Sequence, residues 1–557
     1  MPTMTGARFL AETLREYGVT HVFFVPAIIR RALVEMEDVG IKRIISHGEK
    51  SAAYMADAYA RVTGKPGLCF AQSVGAVNLA AGLQDAYLGV SPVIAITGHR
   101  PPMHRHRNSY QEVEHSKPFA SVTKYSAEVE TAEQLPHLLR QAFREVTTGQ
   151  TLPAHLDFSG ISGDVITDGM LDTDVIVEEP FTQRPAFRPA PEPERVREAA
   201  RILSQAERPV IVAGGGVTAS GAEAEIVRLA EMLNIPVATG LNAKGCIPEN
   251  HPLAVGVVGS YSRWSANRVV SEADLVLFVG SHTGSQITLD WRIPAEGTPV
   301  IQIDIDASEL GRSYQGAYGL QGDAKRTLEA MLDVLEPTGG NASWVARAQE
   351  HVQNWRDEHE PVLTSDAVPI RPERLCQELT DFLPSDAVLM ADTGHAGIWT
   401  GSMVDLNHEG QSYLRAAGSL GWGLPAALGA KCGAPDRPVV CWTGDGGMWY
   451  HIGELETAVR YGINAVIVVH NNGGLNQDRR GDEAAYEGRE GGNSGELWRF
   501  NDTDFAQIAE SMGALGIRVT DPNQINSALD QAVSANRPAV VDIVGDGEVA
   551  AAPPWGP

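Results

Sequence analysis

Short runs of apolar and β-branched residues alternate along this chain with longer stretches whose apolar positions recur every three or four residues, the pattern of parallel strands joined by amphipathic helices. The runs fall into three groups. "HVFFVP" (21–26), "GLCFAQ" (67–72) and "PVIAITG" (92–98) make the first; "PVIVAGGG" (209–216), "DLVLFVG" (274–280) and "PVIQIDID" (299–306) the second; "AVLMADTG" (387–394), "PVVCWTGDGG" (438–447), "NAVIVVHNN" (464–472) and "PAVVDIVG" (538–545) the third. Between groups the pattern breaks. "PFTQRPAFRPAPEPER" (180–195) carries enough proline to stop regular structure, and "EPTGGNAS" (336–343) leads through a helical stretch into the last group. Phe9, Leu10, Leu14 and Tyr17 share one helical face near the start. The fold class expected is α/β, with three doubly wound parallel-sheet domains at residues 1–185, 196–340 and 365–557.

Composition narrows the partners. The 557 residues exceed what one hydrophobic core usually serves, in agreement with several domains. A formal charge of −26 repels polyphosphate backbones and anionic membranes, so no nucleic acid and no membrane partner is expected, and an anionic ligand must meet a local basic patch. Cys69, Cys246, Cys376, Cys432 and Cys441 are scattered, without metal-ligand spacing or a disulfide framework. The start of the chain lacks an apolar core of signal-peptide length, and no run approaches the roughly 20 residues of a membrane span. A cytoplasmic location is the expectation.

The chemistry concentrates in the third group, in "WTGDGGMWYHIGELETAVRYGINAVIVVHNNGGLNQ" (442–477). "PVVCWT" reads as a buried strand, "HIGELETAVRYG" (451–462) as a helix ending at Gly462, and "NAVIVVH" as the next strand, together one right-handed βαβ unit. Parallel neighbours end on the same sheet edge, which puts Asp445 beside Asn472 despite their separation in sequence. Ligands bind α/β sheets at that edge, and the amides of Gly446 and Gly447 at a helix N-terminus suit a phosphate. One carboxylate with one neutral carboxamide oxygen fits a hard cation that shares a phosphate, so magnesium diphosphate is the natural occupant. A second Gly-Asp-Gly at 545–547 has no asparagine pair after it and reads as a loop.

With its asparagines, the first copy resembles the diphosphate-binding motif of thiamine-diphosphate-dependent enzymes. The likeness covers nearly the whole chain, in the domain order pyrimidine-binding, central, diphosphate-binding of the acetolactate synthase and pyruvate oxidase-like branch. It implies thiamine diphosphate and Mg²⁺ as cofactors, with Asp445, Asn472 and the Gly474 carbonyl on the metal. "AAGSLGWGLPAALGA" (416–430) is similar to the segment that grips the aminopyrimidine, the Gly418 carbonyl accepting from its amine and Leu420 wedged between the two rings. "ADTGHAG" (391–397) occupies the place of a diphosphate-contacting loop, which implicates Asp392 and His395.

"IISHGEKSAAYMADAYARVTGKPG" (44–67) looks like the family's glutamate segment, which makes Glu49 the acid that activates the cofactor through its pyrimidine. Such a carboxyl must be partly desolvated for proton sharing to matter. Relatives often have histidine directly before it, whereas here Gly48 follows His47. The family draws the glutamate from one subunit and the metal motif from its partner, so the resemblance implies a homodimer at minimum and a homotetramer as the expected assembly.

Substrate identity is less plainly written. "TGHRPPMHRHRNSYQEVEH" (97–115) concentrates His99, Arg100, His104, Arg105, His106 and Arg107 in an acidic protein, and its arginines suit a carboxylate or phosphate, including that of coenzyme A. Arg100, Arg105 or Arg107 is expected to face the site mouth. Tyr110 and Gln111 fall where relatives point residues at the reacting carbon, as candidate catalytic groups. "GGLNQDRRGDEAAYEGREGGNSGELWRF" (473–500) reads as a mobile loop able to cover the site. It lacks the tryptophan pattern of biosynthetic acetolactate synthases, Asp478 stands at the place of a decarboxylase-branch acid, and "VPAII" (25–29) has no acid like that of pyruvate decarboxylases. In the middle domain "AGGGVTASG", "GSHTGSQITLDW" and "IDIDASE" occupy places where relatives hold FAD or an adenine nucleotide.

The function expected is an enzyme that forms or breaks a carbon–carbon bond next to a carbonyl, acetolactate synthase-like and acting on a 2-oxo acid. A 2-hydroxyacyl-CoA lyase or oxalyl-CoA decarboxylase-like activity is the alternative within the family. A non-catalytic cofactor-binding relative is the alternative outside it, and Glu49 argues against that, since a mere scaffold needs no activating acid.

Overall fold

In the computed structural model, which describes residues 3–337, 340–487, 489 and 492–557, each group of apolar runs builds a six-stranded parallel sheet flanked by helices. The first sheet uses His21–Phe24, Lys42–Ile45, Gly67–Ala71, Val93–His99, Tyr125–Val129 and Ala154–Ser159. The central one uses Pro209–Ala213, Val237–Thr239, Ala254–Val257, Leu275–Val279, Val300–Asp304 and Tyr318–Gln321. The third uses Val388–Ala391, Ser412–Arg415, Val439–Gly444, Val466–Asn471, Leu515–Val519 and Ala539–Val544. Counted by appearance within each domain, the order is 2-1-3-4-6-5 in the first and third sheets and 3-2-1-4-5-6 in the central one. Each order reverses beside its first strand, and the crevice left at that reversal is where open α/β sheets take ligands. In the third sheet it opens between Val388–Ala391 and Val439–Gly444, whose ends lead into Asp392 and Asp445.

Local elements follow the sequence with instructive exceptions. The helix Gly6–Glu16 buries Phe9, Leu10 and Leu14 as their spacing predicts. The helix expected at 451–462 begins later, at Glu454, and ends at Tyr461 with Gly462 as a left-handed cap; a separate short helix, Asp445–Tyr450, precedes it. After a 3-10 turn at Glu179–Thr182 the proline-rich linker has no regular element until Pro193–Ser204. Of the second break, Thr338 and Gly339 lie outside the described residues; the helical stretch beyond it is Ala342–Leu363. A two-stranded antiparallel pair, Thr3–Thr5 with Met170–Asp172, was not foreseen. Among the described residues no helix is long and apolar enough to cross a membrane, and the five cysteines are unbridged.

The first and third domains share a core. Helix Glu49–Thr63 lies against Gly423–Gly433 so closely that a Cβ on Gly429 would stand 2.0 Å from the Met55 carbonyl oxygen. Around this crossing one apolar cluster runs from Ala52, Met55 and Tyr59 to Trp422, Leu428 and Ile467. Within it Arg61 pairs with Asp57 at 2.8 Å, and Trp422 Nε1 donates to the same carboxylate at 2.9 Å. The central sheet packs into apolar clusters of its own.

Candidate active site

Strand register places the metal candidates. Gly444 pairs with His470 and Asn471 closes its strand, so Asp445 and Asn472 leave the sheet side by side, as the βαβ argument requires. Asp445 is 3% exposed and its carboxylate accepts from Gly446 N at 2.7 Å and Gly474 N at 2.9 Å. Burial pushes its pKa up to about 6 against the pull of these amides. No basic side chain lies within ion-pair distance of it among the described residues. A buried carboxylate with amide donors and no counter-ion is the donor set a hard cation completes.

The asparagines divide their tasks. Asn471 Nδ2 donates to Thr503 O at 2.7 Å and Asp542 Oδ1 at 3.0 Å, which fixes it as a brace. Asn472 is half-buried, and its carboxamide has no hydrogen bond among the described residues, which leaves its oxygen available as a ligand. The glycines are steric requirements. A Cβ on Gly446 would meet Leu475 Cδ2 at 2.5 Å, on Gly447 Thr443 Oγ1 at 2.5 Å, and on Gly474 the Trp498 carbonyl at 2.4 Å. These close approaches hold a narrow backbone cradle that fits a diphosphate. The second Gly-Asp-Gly is the expected loop, and it buttresses the first: Gly547 O accepts from Asn476 Nδ2 at 2.6 Å and Arg479 Nη1 at 2.9 Å.

Asp392 sits at the strand end as expected, but its carboxylate is spent within the chain. It accepts from Thr393 N at 2.7 Å, Gly421 N and Gly423 N at 3.0 Å, and Thr443 Oγ1 at 3.1 Å. Burial pushes its pKa up to about 6 in spite of them. It thereby anchors the backbone at 421–423. His395 opens the helix His395–Met403, and burial, with Arg480 nearby, holds its pKa down at about 4, so the ring is neutral.

The segment at 417–419 is held from the first domain. Asp85 accepts from Ala417 N at 2.5 Å, Gly418 N at 3.3 Å and Ser419 N at 2.9 Å. Gly418 is exposed with open space around it, and Leu420 is half-buried beside it. The sequence reading missed Asp85 and its companions Asp57 and Arg61. The signal present was their charge inside the alanine-rich helices "SAAYMADAYAR" and "AAGLQDAYL".

Glu49 is the first residue of helix Glu49–Thr63, after an extended Gly48. Asn78 Nδ2 donates to it at 3.2 Å, and a Cβ on Gly75 would lie 2.4 Å from its Oε1, so the turn before helix Gly75–Leu88 forms its seat. His47 turns away: its ring pairs with Glu456 at 2.8 Å and its amide donates to Glu454 at 3.0 Å. The hydrogen bond of Glu49 stays within the first domain, and the structure does not join it to Asp445 within one chain.

Two of the three arginines of the basic loop are engaged within the chain. Arg105 is engaged with Glu128 at 3.1 Å and Glu130 at 3.2 Å, and Arg100 donates to the Tyr110 carbonyl. Arg107 alone of the three is exposed with no ion pair among the described residues. Tyr110 is 75% exposed, while Gln111 adopts a left-handed backbone, φ +58°, and its carbonyl accepts from Ser73 Oγ at 2.5 Å. The segment 473–500 is also more regular than expected, with helices Arg479–Ala485 and Gly495–Trp498; Gly488, Glu490 and Gly491 lie outside the described residues. Arg479 and Arg480 dock it onto Glu548 and Ala551, and Asp478 is exposed at the start of its first helix.

At the reversal of the central sheet lies a cleft of about 1160 Å³, lined by Gly215, Ser281, Asp304, Arg184 and Arg415 among others. Two glycines there are explained by each other's loops: a Cβ on Gly214 would meet the Gly280 carbonyl at 2.3 Å, and on Gly216 the Gly280 Cα at 2.6 Å.

Residues 4–118, 196–331 and 392–543 match, in turn, the N-terminal TPP binding domain, the central domain and the C-terminal TPP binding domain of thiamine pyrophosphate enzymes. The chain belongs to the thiamine-pyrophosphate-dependent enzymes, and thiamine diphosphate is the cofactor that its outer domains accommodate. Within that class it is similar to acetolactate synthases. It is 33% identical to the probable acetolactate synthase large subunit of Methanocaldococcus jannaschii over 98% of this chain and 92% of that protein. It is 30% identical to the acetolactate synthase isozyme 2 large subunit of Escherichia coli over 97% and 95%. It is 29% identical to the putative thiamine pyrophosphate-containing protein YdaP of Bacillus subtilis over 98% and 92%.

Proposed function

We propose that this enzyme joins or cleaves carbon–carbon bonds next to the carbonyl of a 2-oxo acid, in the manner of acetolactate synthase. The observation that carries the reading is Asp445, a buried carboxylate without a counter-ion at the sheet reversal, beside Asn472 and the Gly474 backbone. Asp445, Asn472 and the Gly474 carbonyl hold Mg²⁺, and the amides of Gly446 and Gly447 face the diphosphate. Asp392 and His395 line its approach, while the Gly418 carbonyl and Leu420 hold the aminopyrimidine in place. When bound, thiamine diphosphate supplies an electron sink next to the substrate carbonyl. Glu49 holds a proton against the pyrimidine ring nitrogen, and Tyr110 and Gln111 face the reacting carbon. The Asp445→Ala variant should bind magnesium and thiamine diphosphate much more weakly by calorimetry, because the remaining ligands are neutral; wild-type affinity would make the metal assignment wrong.

The assembly follows from Glu49. Exposed Val74 and Val77 flank Asn78 beside it, an apolar patch suited to cover by a second copy. A homodimer is the least assembly this reading requires, and a homotetramer, its doubling, is the assembly proposed.

Substrate is tested by turnover. Purified protein should make acetolactate from pyruvate; cleavage of a 2-hydroxyacyl or oxalyl thioester without acetolactate would favour the coenzyme A reading. That reading now rests on Arg107, since Arg100 and Arg105 are engaged within the chain. The central cleft exceeds the volume of most small-ligand sites and takes FAD or an adenine nucleotide in this reading. Flavin fluorescence or an adenine chromophore released on denaturing the purified protein checks it.

A further inference from the structure

Behind the basic loop, the first domain buries an unusual group of polar side chains at the carboxyl ends of strands Val93–His99 and Ala154–Ser159. His115 is 2% exposed. Its Nδ1 lies 3.1 and 3.0 Å from the two Asp157 oxygens, and its Nε2 lies 2.9 Å from the Ser73 carbonyl. Both ring nitrogens face oxygen atoms, so the ring bridges Asp157 and the Ser73 carbonyl. Asp157 also accepts from Thr97 Oγ1 at 2.7 Å, and Thr97 accepts in turn from His155 Nε2 at 2.7 Å. His99 completes the group, 3.3 Å from Asp157 and 3.4 Å from Glu130. Although His99, Glu128 and Glu130 lie close enough together to suggest a cation site, Arg105 already supplies the charge that both glutamates need.

The Ser73 carbonyl is the point where this group touches the chemistry. Ser73 Oγ donates to the Gln111 carbonyl at 2.5 Å, and two residues later Gly75 forms the seat of Glu49. One imidazole thus holds a turn that serves both the loop over the site and the activating acid.

We propose that His115 is a positioning residue, which ties Asp157 to Ser73 and through Ser73 fixes both the Gln111 backbone and the Gly75 turn against which Glu49 rests. It rests on the reading above for the roles of Glu49 and Gln111. The two links separate by substitution. Ser73→Ala removes the hydroxyl that holds Gln111 but keeps the carbonyl that His115 holds, whereas His115→Gln cannot satisfy Asp157 and Ser73 together.

The test uses the full chain with two readouts. In protein without cofactor, amide hydrogen exchange of 72–76 and 106–112 should both rise in His115→Gln, while Ser73→Ala raises only 106–112. In the loaded enzyme, His115→Gln should slow exchange of the cofactor C2 proton and lower kcat by about ten- to a hundredfold, the scale of a misplaced catalytic group. Ser73→Ala should lower kcat/KM for the 2-oxo acid and leave C2 proton exchange at the wild-type rate. Unchanged amide exchange in His115→Gln would overturn the proposal. So would faster amide exchange with wild-type C2 exchange and kcat, since the histidine would then only stabilise the fold. A wild-type chain that bound no thiamine diphosphate would instead overturn the functional reading, and amide exchange would still decide whether His115 holds both segments.

Discussion

Asp157 shows how one side chain can be held against its own burial. Desolvation raises a carboxyl pKa, but hydrogen bonding with His115 and the close approach of the His99 and His155 rings outweigh it and hold Asp157 well below the usual carboxylate range. His99 moves the opposite way, its pKa lowered by burial but raised on balance by Asp157 and Glu130; His155, fully buried and beside two other histidines, falls to about 3 in spite of Asp157 and stays neutral. The sign of the linkage follows. Stability from Asp157 is fully present above the unfolded carboxylate pKa of about 3.9 and lost as pH falls toward the folded value. That from His99 is present below about 6.5 and lost as pH rises through its raised value. Asp157→Asn should therefore cost most between about pH 4 and 6.5, by about 3 kcal/mol or more for a buried partner left alone. Urea unfolding across pH checks it, and a cost that stayed flat down to pH 2 would contradict the ionic account.

At the scale of elements, the decisive contact is the crossing of Glu49–Thr63 with Gly423–Gly433. Alanine in a helix interior is worth about 1 kcal/mol over glycine by propensity, yet at Gly429 the added Cβ would meet backbone at 2.0 Å. The clash wins, and Gly429→Ala should destabilise by about 1–3 kcal/mol and loosen the 417–423 segment, read as a lower melting temperature and weaker cofactor affinity. This crossing was not legible in the sequence, because a glycine in "AALGA" says nothing of what it faces. The buried central strands were legible as continuous apolar runs. Edge strands such as Lys42–Ile45, Tyr125–Val129 and Leu515–Val519 were not, since only part of each is buried. Ala154–Ser159 escaped for the opposite reason: it is buried throughout, but His155, Asp157 and Ser159 break its apolar pattern, and those residues form the polar group behind the site. Asp445 and Asn472 were readable because their spacing is fixed by a βαβ unit. The Asp85 clamp joins residues more than 330 positions apart and left no such spacing.

For the whole molecule, the placement of Glu49 and Asp445 in separate domains bears on assembly. If each site draws its acid from one copy and its metal loop from the other, chains carrying Glu49→Ala and Asp445→Ala are each inactive, but their mixed dimer has one intact site. Co-expression in equal amounts should restore about a quarter of wild-type activity, since half the dimers are mixed and each has one working site of two. No recovery would mean that the site is built within one chain. The shared apolar cluster of the outer domains has a calorimetric consequence. Although the central domain separates them in sequence and each also has an apolar cluster of its own, the first and third domains are joined by the one they share, and they should melt in one endotherm, with the central domain in another. Thiamine diphosphate and magnesium at a hundredfold excess over Kd add about 2.7 kcal/mol to whichever unit binds them. That increment should move the joint endotherm alone, so heat capacity would count the cooperative units of this chain as two where its strand pattern shows three.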